Sequence, residues 1–253
     1  MIFVPQFSEN VLKLKAGSGG YLITLLALFS GIAAPLSGKL IDKKGARLVL
    51  IIGFGFTIVG TLFLGFVATV WLNFISVFIG LALMGLGVGF TMGAPLNYLV
   101  LQAVPKEESA TGIATMSLMR SIGLAVSPSI LIGFIVQAGK NIQPKLMDLF
   151  STIMPTGMNM PVSTPGGASP FKALQNADVT TIVDMVKTAL MTVVPQQAKP
   201  MVMAAIDSIS DKVVITFQST LNSGYTNMYT VAAIIAALGL LTSLLLKKEK
   251  AKD

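Results

Sequence analysis

Neither cysteine nor histidine occurs anywhere in this 253-residue chain, and those two absences remove much chemistry at once. Disulfides, thiolate nucleophiles, imidazole metal ligands and imidazole general bases are all excluded. Metal-dependent or triad-type enzymology is therefore not expected, and neither is a cofactor or a metal. The missing thiols say nothing about redox compartment. Charge is scarce as well. Only 11% of residues are Asp, Glu, Lys or Arg, against 53% hydrophobic residues, where a soluble domain carries about 25% charged residues. With a mean hydropathy of +0.79, the composition is that of an integral membrane protein. The net charge of +7 does not imply a nucleic-acid partner, because the basic residues sit at the ends of apolar runs and not on one face of a soluble domain.

What the chain does contain is apolar runs. Five are long enough to cross a hydrocarbon core, given that about 20 residues are needed at 1.5 Å per residue. They run from Gly20 to Ile41, Leu48 to Ala68, Leu72 to Ala103, Thr111 to Val136 and Thr226 to Leu246. Met1 to Pro5 resembles the end of a further apolar element. The expected fold class is all-α integral membrane, organised as an external segment with that stub (1–19), four transmembrane helices (20–137), an external loop domain (138–224), and a last transmembrane helix with a basic tail (225–253).

The first two spans are joined by a short charged hairpin, Gly38-Lys39-Leu40-Ile41-Asp42-Lys43-Lys44-Gly45-Ala46-Arg47. Spans so close in sequence must be antiparallel neighbours, and Lys/Arg-rich short loops face the cytoplasm. The connection at Thr69-Val70-Trp71 carries no positive charge, and the chain ends in Lys247, Lys248, Lys250 and Lys252. The expected placement is therefore a multi-pass protein of the plasma membrane with the N-terminus outside, the C-terminus cytoplasmic and the Asp42 hairpin cytoplasmic. Gly38 is expected to admit a neighbouring helix and Gly45 to reverse the chain.

Between the fourth and fifth spans lie about 85 residues, too many for an ordinary connection in a compact unit. Pro, Gly, Ser and Thr dominate Met154 to Pro170, which reads as an irregular linker. Ile182, Met185, Val186, Ala189, Leu190 and Val193 then recur at helical intervals, as do Val202, Ile206, Ile209, Val213 and Phe217, so the spacing predicts an external hairpin of amphipathic helices.

Within the spans, Gly85, Gly89 and Gly93 place three small residues on one helix face, the pattern of tight helix packing. Pro95 and Pro128 interrupt backbone hydrogen bonding. Arg120 is the only charge well inside a span; a cation at that depth costs about 2 to 3 kcal/mol unless it is paired or watered. It either snorkels toward the surface or serves a cavity or an inter-helix contact. No Asp or Glu lies in the apolar interior of any span.

The hairpin residues Gly38, Leu40, Asp42, Lys43, Gly45 and Arg47 resemble the cytoplasmic signature loop of the major facilitator superfamily, in the copy between the second and third helices of a six-helix half. Gly85 to Pro95, Val104 to Glu108, Thr111-Gly112 and Arg120-Ser121-Ile122-Gly123 are similar to the tenth and eleventh helices of the fourteen-helix drug:proton antiporters. The resemblance implies that these are the last five helices of a major facilitator fold, with an N-terminal half as partner, and that Asp42 is a conformational switch acting on Arg47 or on a helix of the other half. It implies export of amphipathic or cationic small molecules by proton-coupled alternating access, with the lipid bilayer and a small-molecule substrate as partners and no nucleic acid. Because the spans lack carboxylates, coupling acids would come from the other half. Cavity candidates are Met84, Phe90, Thr91, Asn97, Met116, Met119 and Arg120, since Met and Phe repack around varied shapes. The alternative is a non-transporting, truncated membrane fragment, or an anchor displaying the external helical hairpin.

Overall fold

The computed structural model describes residues 19–71, 73–151 and 199–246, and every regular element among them is helical. In chain order these are α1 (Gly19–Lys44), α2 (Ala46–Leu62), a π-helical continuation (Phe63–Ala68), α3 (Phe74–Met92), α4 (Ala94–Ala103), a 3-10 turn (Lys106–Glu108), α5 (Ser109–Ser151) and α6 (Lys199–Leu245). Five stretches are long and apolar enough to cross a membrane: Gly20–Lys44, Ala46–Ala68, Phe74–Ala103, Lys106–Ile142 and Asp211–Leu245. The all-α class and the five spans expected from the sequence are both present. The described residues divide into two units, one holding residues up to Ile132 and from Tyr225 onward, the other Gly133–Gly224.

The first unit is organised around α3. Its glycines occupy two faces. On one face, a methyl group added at Gly85 would lie 2.7 Å from the Leu26 carbonyl oxygen, and one at Gly89 would lie 2.5 Å from that of Ser30 and 2.6 Å from Ala33 Cβ. Those neighbours are all on α1. On the other face Gly80 meets Leu64, while Gly53 and Gly60 of α2 meet Thr91 and the Met84 backbone in return. Small residues on both sides let backbones approach closely where lipid offers no hydrophobic gain for association. Phe29 and Phe78 close the α1 contact edge to face at 5.9 Å, and Phe56 stacks on Phe90 at 6.2 Å on the α2 side. The last span, in α6, joins α2 through Gly239 against the Phe54 ring and through Tyr229 against Gly65. Several threonine hydroxyls are satisfied within their own helices, as in Thr61 to the Thr57 carbonyl at 2.8 Å and Thr91 to that of Gly87 at 2.9 Å, which spares them the cost of an unpaired polar group in lipid.

Gly45 alone separates α1 from α2. Its φ of 81° and ψ of 159° form a conformation that side chains disfavour, and its N–H donates to the Ile41 carbonyl at 2.8 Å. Gly38 behaves differently from expectation. Nothing lies within 4 Å of an added methyl group there, so it admits no neighbour in this structure; the close approaches sit deeper, where the α3 glycines are.

In the second unit α5 runs on to Ser151 and α6 already begins at Lys199, so the stretch read as external from 138 starts and ends as helix. Pro200 falls in the first turn of α6, where its missing N–H costs nothing. Pro144 withdraws a donor from the exposed Lys140 carbonyl, and both residues are exposed. The buried residues Ile135, Ala138 and Ile142 on α5 and Val213, Phe217 and Thr220 on α6 recur at alternating intervals of three and four, the spacing of a coiled-coil seam. Gly224 faces Ala138, and Lys145 Nζ donates to Thr220 Oγ1 at 3.4 Å, which fixes the pair as antiparallel. Val202, Ile206 and Ile209 lie within α6, whereas the periodic segment Ile182–Val193 and the linker Met154–Pro170 lie outside the described residues.

Two outcomes are expected from this packing. Gly89→Ala should destabilise the first unit by about 1–3 kcal/mol through overpacking, lowering the thermal unfolding midpoint in detergent, whereas Gly123→Ala, which meets open space, should leave it unchanged. Phe217→Ala should cost the second unit about 3–5 kcal/mol, seen as faster amide hydrogen exchange across residues 133–151.

Candidate functional site

The charged hairpin carries an apolar core of its own. Ile41, Ala46 and Val49 are buried together at the α1–α2 turn, and Leu40, Phe90, Ala94, Tyr98 and Leu99 pack against them. Gly45 makes this possible, because a one-residue link brings Ile41 and Ala46 side by side. The polar residues point away: Asp42, Lys43 and Lys44 are exposed and Arg47 is half-buried. Lys43 and Lys44 occupy the last turn of α1, where cations complement the negative end of the helix dipole. No ion pair joins Asp42 to Arg47 among the described residues, so the Asp42 carboxylate stands open to a further contact.

Four residues along α3 from Gly89, the third span breaks. Met92 ends α3, Gly93 turns the chain with ψ of −126°, and α4 restarts at Ala94 with Pro95 in its first turn. Pro95 has no N–H to give the Thr91 carbonyl, and the end of any helix leaves carbonyls without intrahelical donors. One of these is supplied from the fourth span: Arg120 Nη2 donates to the Met92 carbonyl oxygen at 3.3 Å. The guanidinium therefore meets the negative end of α3 inside the apolar region. The Thr91 hydroxyl is turned back on its own helix, onto the Gly87 and Val88 carbonyls.

The cavity candidates do not gather at one point. Phe90 and Thr91 lie on the α2 side of α3, against Gly53 and Phe56. Met84 contributes its backbone to the contact with Gly60 and is half-buried. Asn97 and Met119 are exposed, and Met116 and Arg120 are half-buried. What the structure does bring together is Arg120 with the Met92–Gly93 break, and α4 with the hairpin. Elsewhere around α4, Gly112 of α5 meets Val100 and Val104, and Gln102 Nε2 donates to Tyr98 Oη at 2.8 Å.

A second polar link was not readable from residue types. In the π-helical turn the Gly65 carbonyl accepts from Thr69 Oγ1 at 2.6 Å and from Thr226 Oγ1 at 2.8 Å, tying the second span to the last. Both this link and the Arg120 bond end on backbone carbonyls, which composition and periodicity do not reveal. Pro95 and the glycines around it were the only signal that a carbonyl would be exposed.

Comparison with known proteins places these features. The sequence profile of the Major Facilitator Superfamily matches residues 1–139. The chain is 34% identical over 243 residues to the Bacillus subtilis protein described as "Uncharacterized MFS-type transporter YfiU", covering 94% of this chain and 41% of that protein. It is 35% identical over 136 residues to the "Multidrug resistance protein MdtG" of Proteus mirabilis, covering 51% of this chain and 32% of that protein. It is 27% identical over 138 residues to the "Riboflavin transporter RibZ" of Clostridioides difficile, covering 53% and 29%. No solved structure matches. The chain thus spans well under half the length of these relatives. Members of this family are transporters and not enzymes. With five apolar spans, a profile match over more than half of its length and 34% identity to a relative across 94% of it, the chain belongs to the Major Facilitator Superfamily.

Proposed function

We propose that this chain is the C-terminal half of a secondary active transporter of the fourteen-helix drug:proton antiporter group, exporting amphipathic or cationic small molecules by alternating access. The observation that carries the reading is the packing of the half-helix α4 on the signature hairpin, next to a broken third span that meets Arg120. Discontinuous helices with freed carbonyls are what membrane transporters use around their binding sites. The relatives' names add support, since MdtG is described as a multidrug resistance protein and RibZ as a riboflavin transporter.

On this reading an N-terminal half faces the exposed apolar residues of the spans and supplies the coupling acids that the spans here lack. Asp42 is the switch: its open carboxylate holds a basic group or helix end of the other half in one of the two access states. The cavity draws on Met84, Asn97, Met116, Met119 and Arg120, with Phe90 and Thr91 set back toward α2. The hairpin and C-terminus are cytoplasmic, Trp71 lies at the outer interface of the plasma membrane, and residues 138–224 form the external loop domain. The second unit's own buried seam favours a second reading, in which the chain anchors and displays that helix pair without transporting anything.

In vesicles holding this chain with its N-terminal half, an imposed pH gradient should drive movement of a fluorescent lipophilic cation. Asp42→Asn should reduce the rate about tenfold, the size of a typical coupling energy between states. No movement above that of protein-free vesicles, with both halves correctly inserted, would instead support the anchor reading.

A further inference from the structure

We propose that Arg120 is a positioning residue: by capping the Met92 carbonyl it holds the third span in two pieces and so sets how α4 packs on the hairpin. Its bearing on transport rests on the reading above, but the positioning itself does not.

Three observations converge on it. First, Arg120 is the only charged residue in 48–105 and 109–139, and its guanidinium meets a backbone oxygen at 3.3 Å instead of running toward Glu107 and Glu108 at the start of its own span. Second, that oxygen belongs to the last residue of α3, at the break made by Gly93 and Pro95. A carbonyl there has lost its helical donor and carries the negative end of the dipole, and backbone freed within a span needs another group to satisfy it. Third, donor and acceptor lie at matching depth, each about 17 Å along its helical path from the 104–108 turn at 1.5 Å per residue.

The consequence runs through contiguous packing. With Met92 held, Gly93 sets the angle at which α4 leaves α3. Ala94, Tyr98 and Leu99 of α4 then meet the Ile41, Ala46 and Val49 cluster, and Gln102 holds the Tyr98 hydroxyl at 2.8 Å. A charge on the fourth span therefore fixes a segment of the third against the turn between the first and second. Releasing the Met92 carbonyl frees α4 to pivot at Gly93 and loosens the hairpin cluster.

The absence of native cysteine makes this directly testable. A single cysteine in place of the exposed Asn97 reports the surroundings of α4, and one in place of the exposed Leu28 serves as a control on α1. In membranes containing the full chain, Arg120→Gln should raise the maleimide labelling rate at the Asn97→Cys site about tenfold, as expected for loss of a charge-assisted hydrogen bond, and leave the Leu28→Cys site unchanged. Arg120→Lys, which keeps the charge and a donor, should restore most of the original rate. In a Pro95→Ala background the Thr91 carbonyl regains an N–H donor and the break can close, giving Met92 the Leu96 N–H, so Arg120→Gln should then add little. An unchanged rate with Arg120→Gln, or an effect of equal size with Pro95→Ala, overturns the positioning role. If Arg120→Gln does not accumulate, the Lys variant and the Pro95→Ala pair decide the matter by the same comparison. Labelling that responds as described, while the chain with Asn97 and Arg120 intact moves no substrate when inserted with its N-terminal half, sustains the positioning role and removes the transport reading instead.

Discussion

Close backbone approach is the constraint on which the first unit depends. α3 has to fit between α1 and α2, and it does so because Gly85 and Gly89 remove side chains on one face while Gly80 and Gly87 remove them on the other. In a bilayer, apolar side chains gain little by leaving lipid for each other, so association rests on van der Waals contact and interhelical hydrogen bonds. Each glycine lets the neighbouring backbone come within contact distance over a full turn. The aromatic pairs, Phe29 with Phe78 and Phe56 with Phe90, fill the space beside these contacts. Everything else in the unit, including the break at Gly93, is positioned relative to this three-helix contact.

Close packing also explains why polar chemistry in the spans is sparse and local. Several threonine hydroxyls turn back on carbonyls of their own helix, while among the described residues of the first unit polar links cross between spans from Thr226 to the Gly65 carbonyl and from Arg120 to that of Met92. Both occur where helical geometry has been disturbed, one at a π-helical turn and one at a proline break. Irregular backbone in a membrane is tolerated only where something else satisfies it. The side chains that do so are the ones that tie the spans together.

Much of the fold was legible in the sequence because its signals are long. Apolar runs of more than twenty residues and a glycine-bounded charged hairpin are strong patterns, and all five spans were found. The Gly85, Gly89 and Gly93 stripe was legible for the same reason, since helical periodicity puts it on one face. At Gly38 small size permits a close neighbour, and none of the described residues supplies one. The extension of α5 to Ser151 and the start of α6 at Lys199 were obscured by Pro144 and Pro200, which look like breakers but fall where the surface or a first turn absorbs them. The candidate site was less legible. Arg120 stood out by its charge, but its partner is a backbone atom, and the separation of Phe90 and Thr91 from Asn97 and Met119 depends on which way each turns around α3, α4 or α5.

The single-residue link at Gly45 carries one more consequence, for the phase of one helix against another. Because an α-helix turns by about 100° per residue, adding or removing one residue at this corner rotates the whole of α2 about its axis. Gly53 and Gly60 would swing away from α3, and Phe54 would swing away from Gly239 of α6. The length of this one-residue link thus acts as an angular register for contacts far along the second span, and a change there that leaves every side chain of those contacts intact would still misalign them.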